Sequence, residues 1–91
     1  MDVTDAIRRH LADNVLYTGE FPYGDNASLL REGIIDSMGV MELVAFVHER
    51  FGVRADAREI TPENFDSVAA LTAYVRRKQA EPPTGGVPGG N

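Results

Sequence analysis

Apolar residues along the chain recur at helical spacing, and no stretch alternates convincingly with period two. Ile7, Leu11 and Val15 fall at i, i+4 and i+8, with Arg8, Arg9 and Asp13 off that line. Thr4 suits the N-cap of this first helix and Asp5 its first turn, where a negative charge meets the positive end of the helix dipole. The pattern stops near Tyr17-Thr18-Gly19. Residues 18–35 then form a long connection broken by Gly19, Pro22, Gly24 and Asp25-Asn26, with a turn over Ser28–Arg31 that would point Leu29 and Leu30 inward. The second helix is the clearest: Asp36 as N-cap, Ser37 to Phe51 as body, Gly52 as the terminating residue. Val53 to Ile60 reads as irregular. Thr61-Pro62-Glu63 begins a short third helix with proline at its first position. A last helix runs from about Ser67 to Lys78, with Val68, Leu71 and Val75 inward and Arg76, Arg77 and Lys78 as a solvated, dipole-favoured end. The expectation is an all-α fold, a small four-helix bundle of three longer helices and a short one. Residues 1–79 make one domain, and the Pro/Gly-rich stretch 80–91 a disordered tail.

The second helix carries one apolar stripe more than a core needs. Val40, Leu43, Val44, Val47 and Phe51 form the inward side. Met38, Met41, Glu42, Ala45, His48 and Glu49 also share a face, which mixes methionine with carboxylate and starts beside Ser37. Flexible methionine surfaces suit docking to several partners, so this face is a candidate partner-binding surface. Phe46 lies between the two stripes. Tyr17, Phe21 and Tyr23 read as packing of the first loop.

Composition narrows the chemistry. Fourteen Asp+Glu against nine Lys+Arg give a net charge of −5, which disfavours nucleic acid, whose binding rests on neutralising phosphates. No apolar run reaches the roughly 20 residues of a membrane helix, and the acidic N-terminus is unlike a signal peptide. There is no cysteine, hence no disulfide, thiolate metal site or thiol nucleophile, in keeping with the cytoplasm. Two histidines are too few for a metal cage, and Asp56, Glu59 and Glu63 lack the spacing of a calcium loop; no metal site is expected. Ser37 as a hydrolytic nucleophile fails too, since His48 lies about 16 Å further along the same helix and no Gly-x-Ser-x-Gly elbow is present. Ser37 does stand in the first helical turn, where unpaired N–H groups favour an anion.

Gly33-Ile34-Ile35-Asp36-Ser37-Met38, then Met41-Glu42-Leu43-Val44 and Glu49-Arg50-Phe51-Gly52-Val53, resembles the acyl and peptidyl carrier protein family over roughly residues 4–78. In that family an Asp-Ser-Leu motif opens the second helix of a four-helix bundle. The resemblance implies a non-catalytic protein. Ser37 would receive 4′-phosphopantetheine from coenzyme A through a phosphopantetheinyl transferase, and the arm's thiol would carry acyl or aminoacyl groups as thioesters. Asp36 would cap the helix and contact the transferase. An adenylate-forming ligase or an acyltransferase would load the arm, and condensing or tailoring enzymes would use the cargo, with the carrier itself a monomer. Three departures stand out: Met38 replaces leucine, Gly39 sits where a polar helix former is common, and His48 replaces a frequent acid. The last of these, together with the Phe65-Asp66-Ser67 segment, favours specialised polyketide or nonribosomal-peptide metabolism over the primary fatty-acid carrier. From another class, the alternative is an unmodified helical adaptor binding a partner through the second helix.

Overall fold

The structure, a computed structural model, describes residues 2–81; segment 82–91 of the expected tail lies outside them. In chain order it comprises α1 (Val3–Leu11), a π-helical turn (Ala12–Leu16), α2 (Ser37–Phe51), a 3-10 turn (Ala57–Glu59), α3 (Pro62–Phe65) and α4 (Val68–Ala80). No strand occurs among the described residues. The fold is all-α, as the periodicity predicts. Helix α4 packs against each of the other three helices. Its Val68, Leu71, Tyr74 and Val75 are buried with Ile7 and Leu11 of α1, Leu43 and Val47 of α2, and Phe65 of α3. Full burial of each aliphatic side chain contributes about 1.5–3 kcal/mol, so these few positions hold the bundle together.

Helix α1 begins two residues earlier than expected. Asp2, not Thr4, is its N-cap, and the Asp2 carboxylate is paired with Arg76 at 2.6 Å. Thr4 lies inside the helix, where its hydroxyl meets that of Thr72 on α4 at 3.1 Å. Beyond Leu11 the helix widens into a π turn, which slows its rotation and leaves both Val15 and Leu16 packed on the core. It ends at Tyr17, whose left-handed backbone (φ 56°) lets the Thr18 N–H reach back to the Ala12 carbonyl at 2.8 Å.

Two side chains organise the long connection. Arg8, off the apolar line of α1, donates to the carbonyls of Tyr23 (2.9 Å) and Phe21 (2.6 Å) and pairs with Asp25 (2.6 Å). Asp66 accepts from the Ser28 hydroxyl (2.5 Å) and the Leu30 N–H (2.9 Å), and its carbonyl accepts from the Leu29 N–H (2.7 Å). The loop is thereby fastened to both α1 and the start of α4. Leu29 is fully buried, as expected, but Leu30 points outward, because Asp66 holds its N–H toward the bundle. Phe21 is buried with Tyr23 against it, whereas Tyr17 is 83% exposed and packs no loop.

The stretch 53–60 is more ordered than expected. Asp56 and Glu59 form a capping box around the 3-10 turn. The Glu59 carboxylate also accepts from the Tyr74 hydroxyl (2.9 Å) and from Lys78 (3.1 Å), tying this segment to α4. The basic end of α4 is therefore not simply solvated: Arg76 pairs with Asp2, Lys78 with Glu59 and Glu81, and Arg77 donates to Asn64 at 3.0 Å. The three acids 56, 59 and 63 make no metal cluster among the described residues.

Helix α2 matches its expected limits. Asp36 accepts the Gly39 N–H at 2.9 Å, and Gly52 closes the helix at φ 72°. Gly39 is a requirement of this chain's own packing. A Cβ there would lie 2.7 Å from the Ile35 Cβ, and Ile35 is buried.

Two outcomes follow from these contacts. Gly39→Ala should lower stability by about 1–2 kcal/mol in urea denaturation, although helix propensity alone would raise it by up to about 1 kcal/mol. The Glu59 carboxyl is held below its ordinary value of 4.5, chiefly by the Asp56 N–H and then by Tyr74 and Lys78. A depressed acid stabilises the fold above its unfolded pKa, so this contribution is full above about pH 4.5 and lost as pH falls through the folded value. Glu59→Gln should cost about 1 kcal/mol at pH 7 and flatten the stability curve below pH 4.5.

Candidate functional site

The start of α2 projects at the surface between the first loop and α3. Asp36 caps the helix with its side chain and, through its carbonyl, accepts the Val40 N–H at 3.1 Å. That leaves the Ser37 and Met38 N–H groups as the outward donors of the first turn. Ser37 is exposed, and its hydroxyl makes no hydrogen bond among the described residues. The other two serines are engaged: Ser28 donates to Asp66 and accepts from the Arg31 N–H, and Ser67 caps α4 by accepting from the Ala70 N–H at 3.0 Å. Asp66-Ser67 and Asp36-Ser37 are thus similar dipeptides in different states. In the second pair the aspartate supplies the cap, so the serine hydroxyl stays free.

The expected docking face is exposed along its length: Met38 (73%), Met41 (55%), Glu42, Ala45, His48 and Glu49 all face solvent. The structure divides it, however. Ser37 and Met41 line an apolar cleft of about 390 Å³ together with Leu30, Val40, Ile60, Pro62 and Phe65. Met38 and Glu42 line a second, more polar cleft of about 630 Å³ with Asp36, Tyr17 and Asn14. Phe46 belongs to neither: it stacks on His10 of α1 at 4.0 Å between centroids, with Phe51 edge-on at 5.7 Å. Burial beside Phe46 pushes the His10 pKa down, against the pull of Glu42 and Asp13. Neither histidine stands near enough to Ser37 to line either of its clefts.

Sequence reasoning missed Leu30 and Tyr17 as neighbours of this site. Leu30 was legible only as half of an apolar pair, while nothing in the spacing marks Tyr17 as outward.

Residues 3–75 match the family model described as the phosphopantetheine attachment site. The chain belongs to that family of carrier proteins. Among relatives, the carrier is 31% identical to the probable acyl carrier protein PigG of Serratia sp. (strain ATCC 39006), over 85% of this chain and 88% of that one. It is 34% identical to the D-alanyl carrier protein of Abiotrophia defectiva, over 58% of this chain and 67% of the relative. Among solved structures, a chain in one titled as an FAD-dependent dehydrogenase superposes with a TM-score of 0.66 at 30% identity, covering 76% of this chain and 97% of that one. The carrier's cofactor is 4′-phosphopantetheine, so the unmodified-adaptor alternative gives way. The site fits such a group: an exposed, unbonded hydroxyl, outward N–H donors beside it for the phosphate, and an adjoining apolar cleft. No described helix is long and apolar enough to cross a membrane.

Because Met41 is exposed and outside the buried core, Met41→Glu should leave far-UV helicity unchanged and alter stability by no more than about 0.5 kcal/mol in thermal unfolding.

Proposed function

We propose that Ser37 is the attachment point of the arm, and that this protein is a non-catalytic, monomeric carrier serving specialised metabolism in the cytoplasm. The observation that carries the assignment is the contrast among three serines, of which Ser37 has the exposed and unbonded hydroxyl. In the transferase reaction its Oγ would attack the diphosphate of coenzyme A. A phosphodiester forms, the bond to 3′,5′-ADP breaks, and the Oγ proton passes to a base of the transferase. Asp36 would hold the helix start in place and face the transferase, and the first-turn N–H groups would stabilise the phosphodiester charge.

Once attached, the arm supplies a thiol that carries an acyl or aminoacyl group as a thioester. The chain's own residues then present and shelter it. The apolar cleft beside Ser37 suits the apolar part of a cargo, since its one acid, Asp66, is taken up by Ser28 and the Leu30 N–H. Met38, Met41, Glu42, Ala45, His48 and Glu49 would meet partner enzymes: the transferase, an adenylate-forming ligase or acyltransferase for loading, and condensing or tailoring enzymes afterwards.

The relatives' names, one acyl and one D-alanyl, support both cargo classes. The structural relative supports a tailoring enzyme as one such partner. Three quarters of these 91 residues span 97% of that chain, so it is carrier-sized, and the dehydrogenase of its title is best understood as its companion. This supports flavin-dependent oxidation of a tethered cargo as one of the steps the carrier serves. His48 on the docking face leaves Glu42 and Glu49 as its acids, which favours specialised partners over the strongly basic surfaces that meet more acidic helices.

Incubated with coenzyme A, Mg²⁺ and a promiscuous phosphopantetheinyl transferase, the protein should gain the mass of one phosphopantetheine. Ser37→Ala should gain none; a variant that still gains the full mass would refute the assignment.

A further inference from the structure

Ser37 lines the apolar cleft and not the more polar one, so an arm that starts at its hydroxyl starts at that cleft. Leu30, Val40, Met41, Ile60, Pro62 and Phe65 form the cleft's walls, interrupted by three polar side chains, Ser37, Thr61 and Asp66. Ser37 would be consumed by the attachment itself. Both carboxylate oxygens of Asp66 already accept, one from the Ser28 hydroxyl and one from the Leu30 N–H. The Thr61 hydroxyl remains, half-buried and without a hydrogen bond among the described residues.

That freedom has a local cause. Thr61 precedes α3 as Asp36 precedes α2 and Ser67 precedes α4, yet of these three its side chain alone caps nothing. Pro62 has no N–H to satisfy, and the Thr61 carbonyl takes the N–H groups of Asn64 (3.0 Å) and Phe65 (2.9 Å). Backbone closes this turn, and nothing in the fold uses the hydroxyl.

We infer that Thr61 is a positioning residue for the phosphopantetheine arm: its hydroxyl accepts an amide N–H of the arm and so holds the arm in the apolar cleft. The inference rests on Ser37 being the attachment point. The arm carries amides between its phosphate and its thiol. An amide that enters an apolar cleft without a partner gives up its water and gains nothing in exchange. Cargo can therefore shelter here only if the stretch of arm that enters with it is hydrogen-bonded, and Thr61 is the side chain left to do so. A neutral hydroxyl also suits an arm that must leave again, since its bond to an amide is weaker than one from a charged group.

The test is nuclear magnetic resonance of the full-length holo-protein with the heavy nitrogen isotope in the arm alone, so that only arm amides are read. Hydrogen exchange of the more protected arm amide should be about threefold or more slower than in free pantetheine, the effect of one ordinary hydrogen bond. Thr61→Val keeps the β-branched shape, suits the extended backbone there (φ −130°, ψ 160°) and removes no hydrogen bond of the fold. It should bring that exchange close to the rate of free pantetheine and leave the melting temperature of the apo-protein unchanged, while Thr61→Ser behaves as wild type. Because the chain has no cysteine, the arm's thiol is the only one present and gives a second reading. Dithiodipyridine should react about twofold or more faster with holo Thr61→Val than with the holo wild type, through greater access. Wild-type arm amides that exchange like free pantetheine, protection that survives Thr61→Val, or protection lost equally in Thr61→Ser each overturn the contact and leave Ser37 as the attachment point. An arm attached to any other residue overturns both.

Discussion

The Asp36 carboxylate accepts the Gly39 N–H at 2.9 Å while the missing side chain of Gly39 lets buried Ile35 close against the helix. These two contacts act within one turn and in opposite senses. One draws the first turn of α2 toward its cap, and the other clears the space the cap needs. Together they set the rotation of α2 about its axis, and everything around Ser37 follows from that rotation. Val40 turns toward the core and Met41 toward the apolar cleft, Met38 toward Tyr17, and Ser37 toward solvent with its hydroxyl unclaimed. On the proposed assignment of Ser37, the carrier function depends on an aspartate doing the capping that a serine would otherwise do. Asp66-Ser67 shows the other outcome, in which the serine caps and the aspartate binds the loop.

The rest of the chain supports that corner from behind. Helix α4 is the common wall against which α1, α2 and α3 pack. The first loop, long enough to wander, is held by Arg8 on one side and Asp66 on the other. The segment before α3 is held by Glu59, whose carboxylate closes its own turn and also receives Tyr74 and Lys78 from α4. Each of these groups gathers backbone donors or acceptors that the irregular segments would otherwise leave unpaired. The outcome is a firm floor, with no buried side-chain polar atom left unsatisfied among the described residues, beneath a surface where apolar side chains remain exposed on either side of Ser37.

Helix α2 and its cap were legible in the sequence because a single polar residue, an apolar repeat and a terminal glycine all specify the same limits. The fold class was legible for the same reason, and the family motif marked the candidate serine. What the sequence did not disclose depends on contacts between distant segments. Thr4 resembles a cap, yet its hydroxyl finds Thr72, sixty-eight residues away. Leu30 follows Leu29 as if both were buried, yet Asp66 turns it outward. Gly39 looks like a weak point of a helix until Ile35 is placed beside it. The π turn leaves no periodic mark, so the exposure of Tyr17 at its end has no signal in spacing. The Asp56–Glu59 capping box did have one, an acid followed three residues later by another, in a stretch too short to show helical periodicity.

Helix α2 separates an apolar cleft from a more polar, acidic one, with Ser37, the proposed attachment point, between them. The claim beneath this account is that local capping, and not mere exposure, selects the modified hydroxyl. Trypsin separates the three serines into peptides 10–31, 32–50 and 59–76, so tandem mass spectrometry of the digested holo-protein reads the site directly. The account predicts the phosphopantetheine on peptide 32–50, at Ser37, in every modified molecule; an adduct on Ser28 or Ser67 would contradict it.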